Sequence, residues 1–264
     1  MDVGSAKPTH SERNSVKHYG LDLVSVSKRY DVSMYVNYAR DVVERVYQNN
    51  GRLLIVGGSG FYLRSFFSQV VDQVVVSKEI RDFVDSLNEK KGLNGLLVEL
   101  EKLNPNGLGS LDKSNPVRVI KSLERCLASG STIQKLQKEL MEKPTPFFGF
   151  EKKTCLLDRS NTQLFELIEK RTSRMLEMGL VEETEKLIDQ GILNNHPASN
   201  AVGYREAISF LNGKIQGSEL ASAINQSTRQ LVAKQRKWFR KYYFADQKLT
   251  SENDRTFSSR KLIW

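Results

Sequence analysis

One stretch does most to limit the fold. Arg52-Leu53-Leu54-Ile55-Val56 is a short apolar run, and Gly57-Gly58 closes it. A run of this kind predicts a buried strand ending in a tight loop. The segment before it, Val32 to Gln48, carries Tyr35, Ala39, Val42, Val43 and Val46 at helical spacing. Helix, strand and glycine loop in succession predict a parallel α/β sheet. The loop Val56-Gly57-Gly58-Ser59-Gly60 then lies where open α/β sheets bind ligands. Its glycines allow backbone amides to approach a phosphate, and Ser59 adds a hydroxyl. The same glycines also suit an ordinary tight turn. No Walker loop, G-x-x-x-x-G-K-[ST], occurs in the 264 residues.

From about Ser77 to Gly149 the character changes. Lys78 to Leu103 has helical spacing at Ile80, Phe83, Val84 and Leu87, then at Leu93, Leu96, Leu97 and Leu100. Asn104-Pro105-Asn106-Gly107 breaks it. A second helix is predicted from Pro116 to Ser129, opened by proline and stopped by Gly130. Pro144-Thr145-Pro146 marks a linker. The expected organisation is therefore a first part of an α/β core at 1–76 and a helical insertion at 77–149. A second part of the core follows at 150–246, with a polar tail at 247–264 that ends in Leu262-Ile263-Trp264. Thr154 to Leu157 reads as a strand returning to the sheet. Asn161 opens a long helix, and a last helix runs from about Ser218 to Tyr243.

Length allows one large domain or two smaller ones. No apolar run approaches the ~18 residues of a membrane span, and no basic region followed by an apolar stretch predicts a signal peptide. Cys126 and Cys155 fit no metal spacing and no disulfide framework, which predicts a reducing, cytoplasmic setting. His10, His18 and His196 are scattered, so a protein-built zinc site is not expected. The net charge of +9 fits a partner rich in phosphate, although a solvated basic surface gives the same total.

The final helix sharpens this. With Leu231 at the centre of one face, Ile224 and Trp238 fall near it, and Arg229, Arg236 and Arg240 fall opposite. An apolar seam with an arginine stripe suits phosphate tracking; an ordinary surface helix shows the same pattern. In the helix from Asn161 to Met178, Arg171 sits within an apolar stripe of Leu164, Leu167, Ile168, Met175 and Met178. It either snorkels to an edge or meets an anion in a cleft.

These places also carry a resemblance. Met1-Asp2-Val3-Gly4-Ser5-Ala6-Lys7-Pro8-Thr9, His18-Tyr19-Gly20-Leu21-Asp22-Leu23 and the Val56 to Leu63 loop resemble M-D-I-G-T-A-K-P, H-H-L-L-D-I and V-G-G-T-G-L-Y. Pro116 to Glu124, Glu169 to Glu183, Ala201 to Glu206 and Thr228 to Trp238 resemble four further motifs in order. Together they resemble the bacterial-type tRNA dimethylallyltransferases over roughly residues 1 to 243.

The resemblance implies a P-loop-NTPase-like parallel sheet core, of the ATP- and nucleotide-binding type, with a helical insertion gripping the tRNA anticodon stem-loop. It implies transfer of a dimethylallyl group from dimethylallyl diphosphate to N6 of adenosine 37, usually with Mg2+, by a monomer not bound to membrane. Arg171 matches the arginine on the diphosphate. Ser59 matches a threonine near the reacting base, and Arg81 an arginine on tRNA. Val117, Arg118, Val119, Ile120 and Lys121 match one tRNA-contacting stretch, and Asn200, Ala201, Val202, Gly203, Tyr204 and Arg205 another. Ser25-Val26 departs from the usual D-P, and Ala233 and Lys234 from lysine and arginine. The phosphate loop and N-terminal strand, with an aspartate proposed as base, come before the first motif in that family. The 264-residue chain alone is therefore expected to transfer no prenyl group at a useful rate, and the coding sequence upstream of Met1 to show those residues in frame. A non-catalytic tRNA-binding relative and an adenine-nucleotide isopentenyltransferase remain the alternatives.

Overall fold

A computed structural model describes residues 1–72, 74–242 and 245–251. The chain forms two compact units: Met1–Gly60 with the chain from Phe150 onward, and Phe61–Gly149. In chain order the elements are α1 (His10–Ser15), α2 (Val32–Gln48), α3 (Gly60–Arg64), α4 (Lys78–Lys102), α5 (Pro116–Ser129), α6 (Ile133–Glu142), β1 (Cys155–Arg159), α7 (Asn161–Glu177), α8 (Leu180–Asp189), a 3₁₀ turn (Ile192–Asn194), α9 (His196–Ser199), α10 (Tyr204–Leu211), α11 (Gly217–Tyr242) and β2 (Gln247–Ser251). The fold is mixed α/β, mostly helical, with a small parallel sheet.

The Phe61–Gly149 unit is built on α4, α5 and α6. Val84, Leu96, Leu100, Val119, Leu123 and Ile133 form its buried core. Ser77 caps α4 through the Ile80 amide, and Gly92, at φ 60°, kinks the helix between two straight runs. Asn115, Pro116 and a left-handed Gly130 bound α5. The Asn-Pro break is more than a stop. Asn104 is buried, accepts the Ile133 amide at 2.7 Å and donates to the Leu100 carbonyl at 2.8 Å, so it ties the end of α4 to the start of α6. Residues 61–76 pack with this unit, ahead of the expected start at 77. Phe66 stacks on Phe147 at 4.2 Å, the Thr145 hydroxyl donates to the Ser65 carbonyl, and Arg125 pairs with Asp72.

The other unit buries Met175, Leu180, Leu187, Ile192, Tyr204, Ala207, Leu220 and Ile224 among α7, α8, α10 and α11, with Val3 packed against them. Its sheet is β1 paired in parallel with β2, from Cys155 opposite Gln247 to Arg159 opposite Ser251. Asp246 accepts both the amide and the hydroxyl of Thr154, at 2.6 and 2.7 Å, and sets that register.

Two expectations are corrected. Arg52–Val56 is not a strand; Leu54 and Val56 are 66% and 82% exposed. An extended segment becomes a strand only when a neighbour takes its backbone groups, and no described residue pairs with this one. The polar tail, conversely, opens with β2. Leu249 alternates with polar neighbours, and β1 supplies the ladder. Leu262-Ile263-Trp264 lies outside the described residues.

Candidate active site

The structure gathers separate motifs around one carboxylate. Glu183 stands in the first turn of α8, beyond a left-handed Gly179. Its oxygens accept the amide of Asp2, the Val3 amide at 3.1 Å and the Gly4 amide at 3.2 Å. The Tyr204 hydroxyl, from the start of α10, donates to the same carboxylate at 2.8 Å. Gly4 has a reason to be glycine: a Cβ there would stand 2.6 Å from two Tyr204 ring carbons. The His18–Leu23 motif joins through Asp22, which pairs with Lys7 and with Arg13, the latter at 3.1 Å.

Burial pushes the Glu183 carboxyl up, but the Asp2 amide, the Tyr204 hydroxyl and the Gly4 and Val3 amides outweigh it and leave it below the ordinary range. The same burial and the same carboxylate push the Tyr204 phenol up. A depressed carboxyl stabilises the fold above its ordinary pKa, and that contribution is lost as pH falls through the depressed value. Exchange protection of the Val3 and Gly4 amides is therefore expected to be lost only as pH falls through the depressed value, below the ordinary glutamate value. Protection lost well above that value would contradict this account.

Arg171 stands among the apolar positions of α7 but reaches the surface. The buried positions of α7 are Ile168, Thr172 and Met175, while Arg171 is exposed and donates to the Ser5 carbonyl at 3.5 Å. The fold thus seats this guanidinium on the Met1–Thr9 segment. Ser59 is exposed, and the loop holding it meets the second half of α11. A Cβ on Gly58 would collide with Gln235, and one on Gly60 with the Trp238 ring. These glycines permit close approach of a helix; no ligand is required to explain them.

The arginine stripe of α11 divides. Arg229 pairs with Glu169 at 2.6 Å and lies 4.7 Å over the Phe165 ring, and Arg236 pairs with Asp158 at 2.8 Å. Arg240 is exposed and forms no ion pair with another described residue. Leu231, expected at the centre of the buried seam, is 42% exposed. Two arginines of the helix are engaged by acids that α7 and β1 offer at matching heights.

Arg205 is held by Glu206, at 2.6 Å, and by Ser227, at 2.8 Å, yet remains exposed. Of the other expected tRNA contacts, Asn200 is exposed, Ala201 and Val202 are half-buried, and Gly203 and Tyr204 are buried. In the helical unit Arg81, Val117, Arg118 and Lys121 are exposed, Ile120 is half-buried and Val119 is core. Val119 and Tyr204 can only position their neighbours. Sequence reading gave Glu183 no role, although it closes the Glu169 to Glu183 motif and is an acid in the first turn after Gly179.

Among the described residues no three His, Cys, Asp or Glu side chains gather to hold a metal ion. The acids of this site, Asp2, Asp22 and Glu183, are already taken by Lys7, Arg13 and backbone amides. These residues do not fit a seat for Mg2+.

Residues 1–242 match the model of the IPP transferase family. This chain belongs to that family. It is 41% identical over 240 residues to the tRNA dimethylallyltransferase of Opitutus terrae, covering 91% of this chain and 77% of the relative. It is 30% identical over 243 residues to that of Thermotoga maritima, covering 92% and 77%. Among solved structures it is similar to the tRNA isopentenylpyrophosphate transferase of Bacillus halodurans, with a TM-score of 0.64 at 24% identity over 96% of this chain and 78% of that one. It is also similar to a eukaryotic dimethylallyltransferase solved acting on tRNA, with a TM-score of 0.71 at 21% identity over 90% and 59%. These likenesses establish a shared fold. No described helix is long and apolar enough to cross a membrane.

Proposed function

We propose that this protein transfers a dimethylallyl group from dimethylallyl diphosphate to N6 of adenosine 37 in the anticodon stem-loop of tRNA. The exocyclic nitrogen attacks the allylic carbon, the carbon–oxygen bond breaks, and diphosphate leaves with the electron pair. N6 loses its proton to a general base. The observation that carries the reading is the seat of Arg171 on that segment, within a chain whose relative at 41% identity is a tRNA dimethylallyltransferase. A fixed guanidinium there favours charge developing on a departing diphosphate. The target base must leave its stack, which costs a few kcal/mol; exposed Ser59, Arg81, Arg118, Lys121, Asn200 and Arg205 are the groups we assign to hold the loop while it does. The setting is cytoplasmic and the working form a monomer.

The test supplies labelled dimethylallyl diphosphate with tRNA and with free AMP, using the longest in-frame product of the gene. Label on N6 of adenosine 37 is expected. Label on AMP alone would favour the adenine-nucleotide reading, and tRNA binding without transfer the non-catalytic one.

The net charge of +9 leads us to expect tRNA affinity that falls steeply with salt. Arg240→Ala is expected to reduce the slope of log affinity against log salt by about one. Arg229→Ala and Arg236→Ala are expected to lower stability instead, since each breaks an internal pair. Equal slope changes in all three variants would restore the continuous stripe.

A further inference from the structure

We propose that Glu183 is a positioning residue for the transfer reaction: it fixes the turn whose Ser5 carbonyl seats Arg171. This rests on the reading of Arg171 as the partner of the diphosphate.

The turn does not hold its shape unaided. The Ala6 amide donates to the Val3 carbonyl and the Lys7 amide to the Asp2 carbonyl, both at 3.0 Å. Closing it puts Ala6 at φ 50°, in the left-handed region that a non-glycine residue adopts only under constraint. Ser5 is turned so that its hydroxyl bonds the Met1 carbonyl at 2.9 Å, leaving its own carbonyl for Arg171. The anchor lies on the other side. Three successive amides converge on the Glu183 carboxylate, an arrangement that elsewhere makes an anion-binding concavity. Here the protein supplies its own anion.

The anchor is itself rigid. Glu183 projects from the first turn of α8, where the helix dipole favours a negative group. Its side chain is 16% exposed. Tyr204 is 1% exposed, donates to Glu183 and carries Gly4 on its ring. An apolar residue at 183 would fill the space and leave three amides and a phenol without a partner. So the carboxylate's task is to hold backbone, one residue before the carbonyl that Arg171 uses. A guanidinium stabilises departing charge only when held where the charge develops, and small misplacements are costly.

A plain structural clasp would lower stability and nothing else, so the experiment separates the two. Glu183→Gln keeps the size but replaces one acceptor with a donor. In the longest in-frame product it is expected to lower kcat at saturating donor roughly 10- to 100-fold, with tRNA affinity retained. Added to Arg171→Gln, it is expected to lower kcat no further, because both act through one guanidinium. The Arg171 Nε resonance is expected to lose order in E183Q by ¹⁵N relaxation, while Arg229 Nε stays ordered. An equally ordered Arg171, or losses that multiply in the double variant, would overturn the proposal. Unchanged kcat in R171Q would instead overturn the diphosphate reading and the catalytic part with it, while the order of Arg171 still shows whether Glu183 seats it. Should E183Q not fold, Tyr204→Phe removes one donor and keeps the ring beneath Gly4. It is expected to give a smaller loss of the same kind, and full order of Arg171 in it would count against the proposal.

Discussion

Arg171→Gln is expected to lower kcat at saturating donor by about 10²- to 10³-fold, the loss typical of removing one preorganised donor from a developing charge. The side chain is exposed, and among the described residues it donates a hydrogen bond to the Ser5 carbonyl at 3.5 Å, near the outer limit for such a bond. It is therefore aimed but not consumed, with further N–H groups left for a ligand. Glutamine keeps hydrogen-bonding capacity and removes the charge. Stability should change little, because the residue is outside the core of α7. The measurement is steady-state kinetics at saturating tRNA with varied donor. A raised KM with kcat unchanged would show uniform ground-state binding and not leaving-group stabilisation.

Gly4→Ala is expected to lower stability by about 1–3 kcal/mol, the usual cost of overfilling a packed site. The new methyl would stand 2.6 Å from two Tyr204 ring carbons and 2.8 Å from a Leu180 methyl. Both residues are at most 1% exposed, so neither can move aside into solvent. The turn must lift instead. That strips the amides from Glu183 and leaves a half-buried carboxylate with fewer donors. The urea midpoint should fall, and exchange protection at Val3 should fall with it. Gly57→Ala serves as the comparison: a Cβ there meets nothing within 4 Å, so its stability should stay within ~0.5 kcal/mol of the parent. Equal losses in the two variants would argue against the packing explanation.

Helix ends were legible where capping chemistry is local. Asp31, Ser77, Asn115 and Ser160 each accept an amide at the start of a helix, and Gly130 ends one in the left-handed region. Short helices were not: α1 begins with a Thr9–Glu12 capping box but buries no residue, so it has no apolar period to read. Arg52–Val56 misled for the opposite reason. Its pattern is that of a buried strand, and burial depends on a partner that periodicity cannot name.

The site divides in the same way. Motif order alone marked Arg171, Ser59, Tyr204 and Arg205, and net charge marked a phosphate-rich partner. Those signals are chemical identities at fixed spacing, and they survive without coordinates. Which groups meet was decided by tertiary structure. Glu183 and Gly4 are 179 residues apart in the chain and bonded in the fold. Arg229 and Arg236 look equivalent to Arg240 along a helix, and only the acids on α7 and β1 separate them. A sequence specifies what each residue can donate, accept or bury. Whether an arginine faces a ligand, a carbonyl or an internal acid depends on what the rest of the chain brings to it.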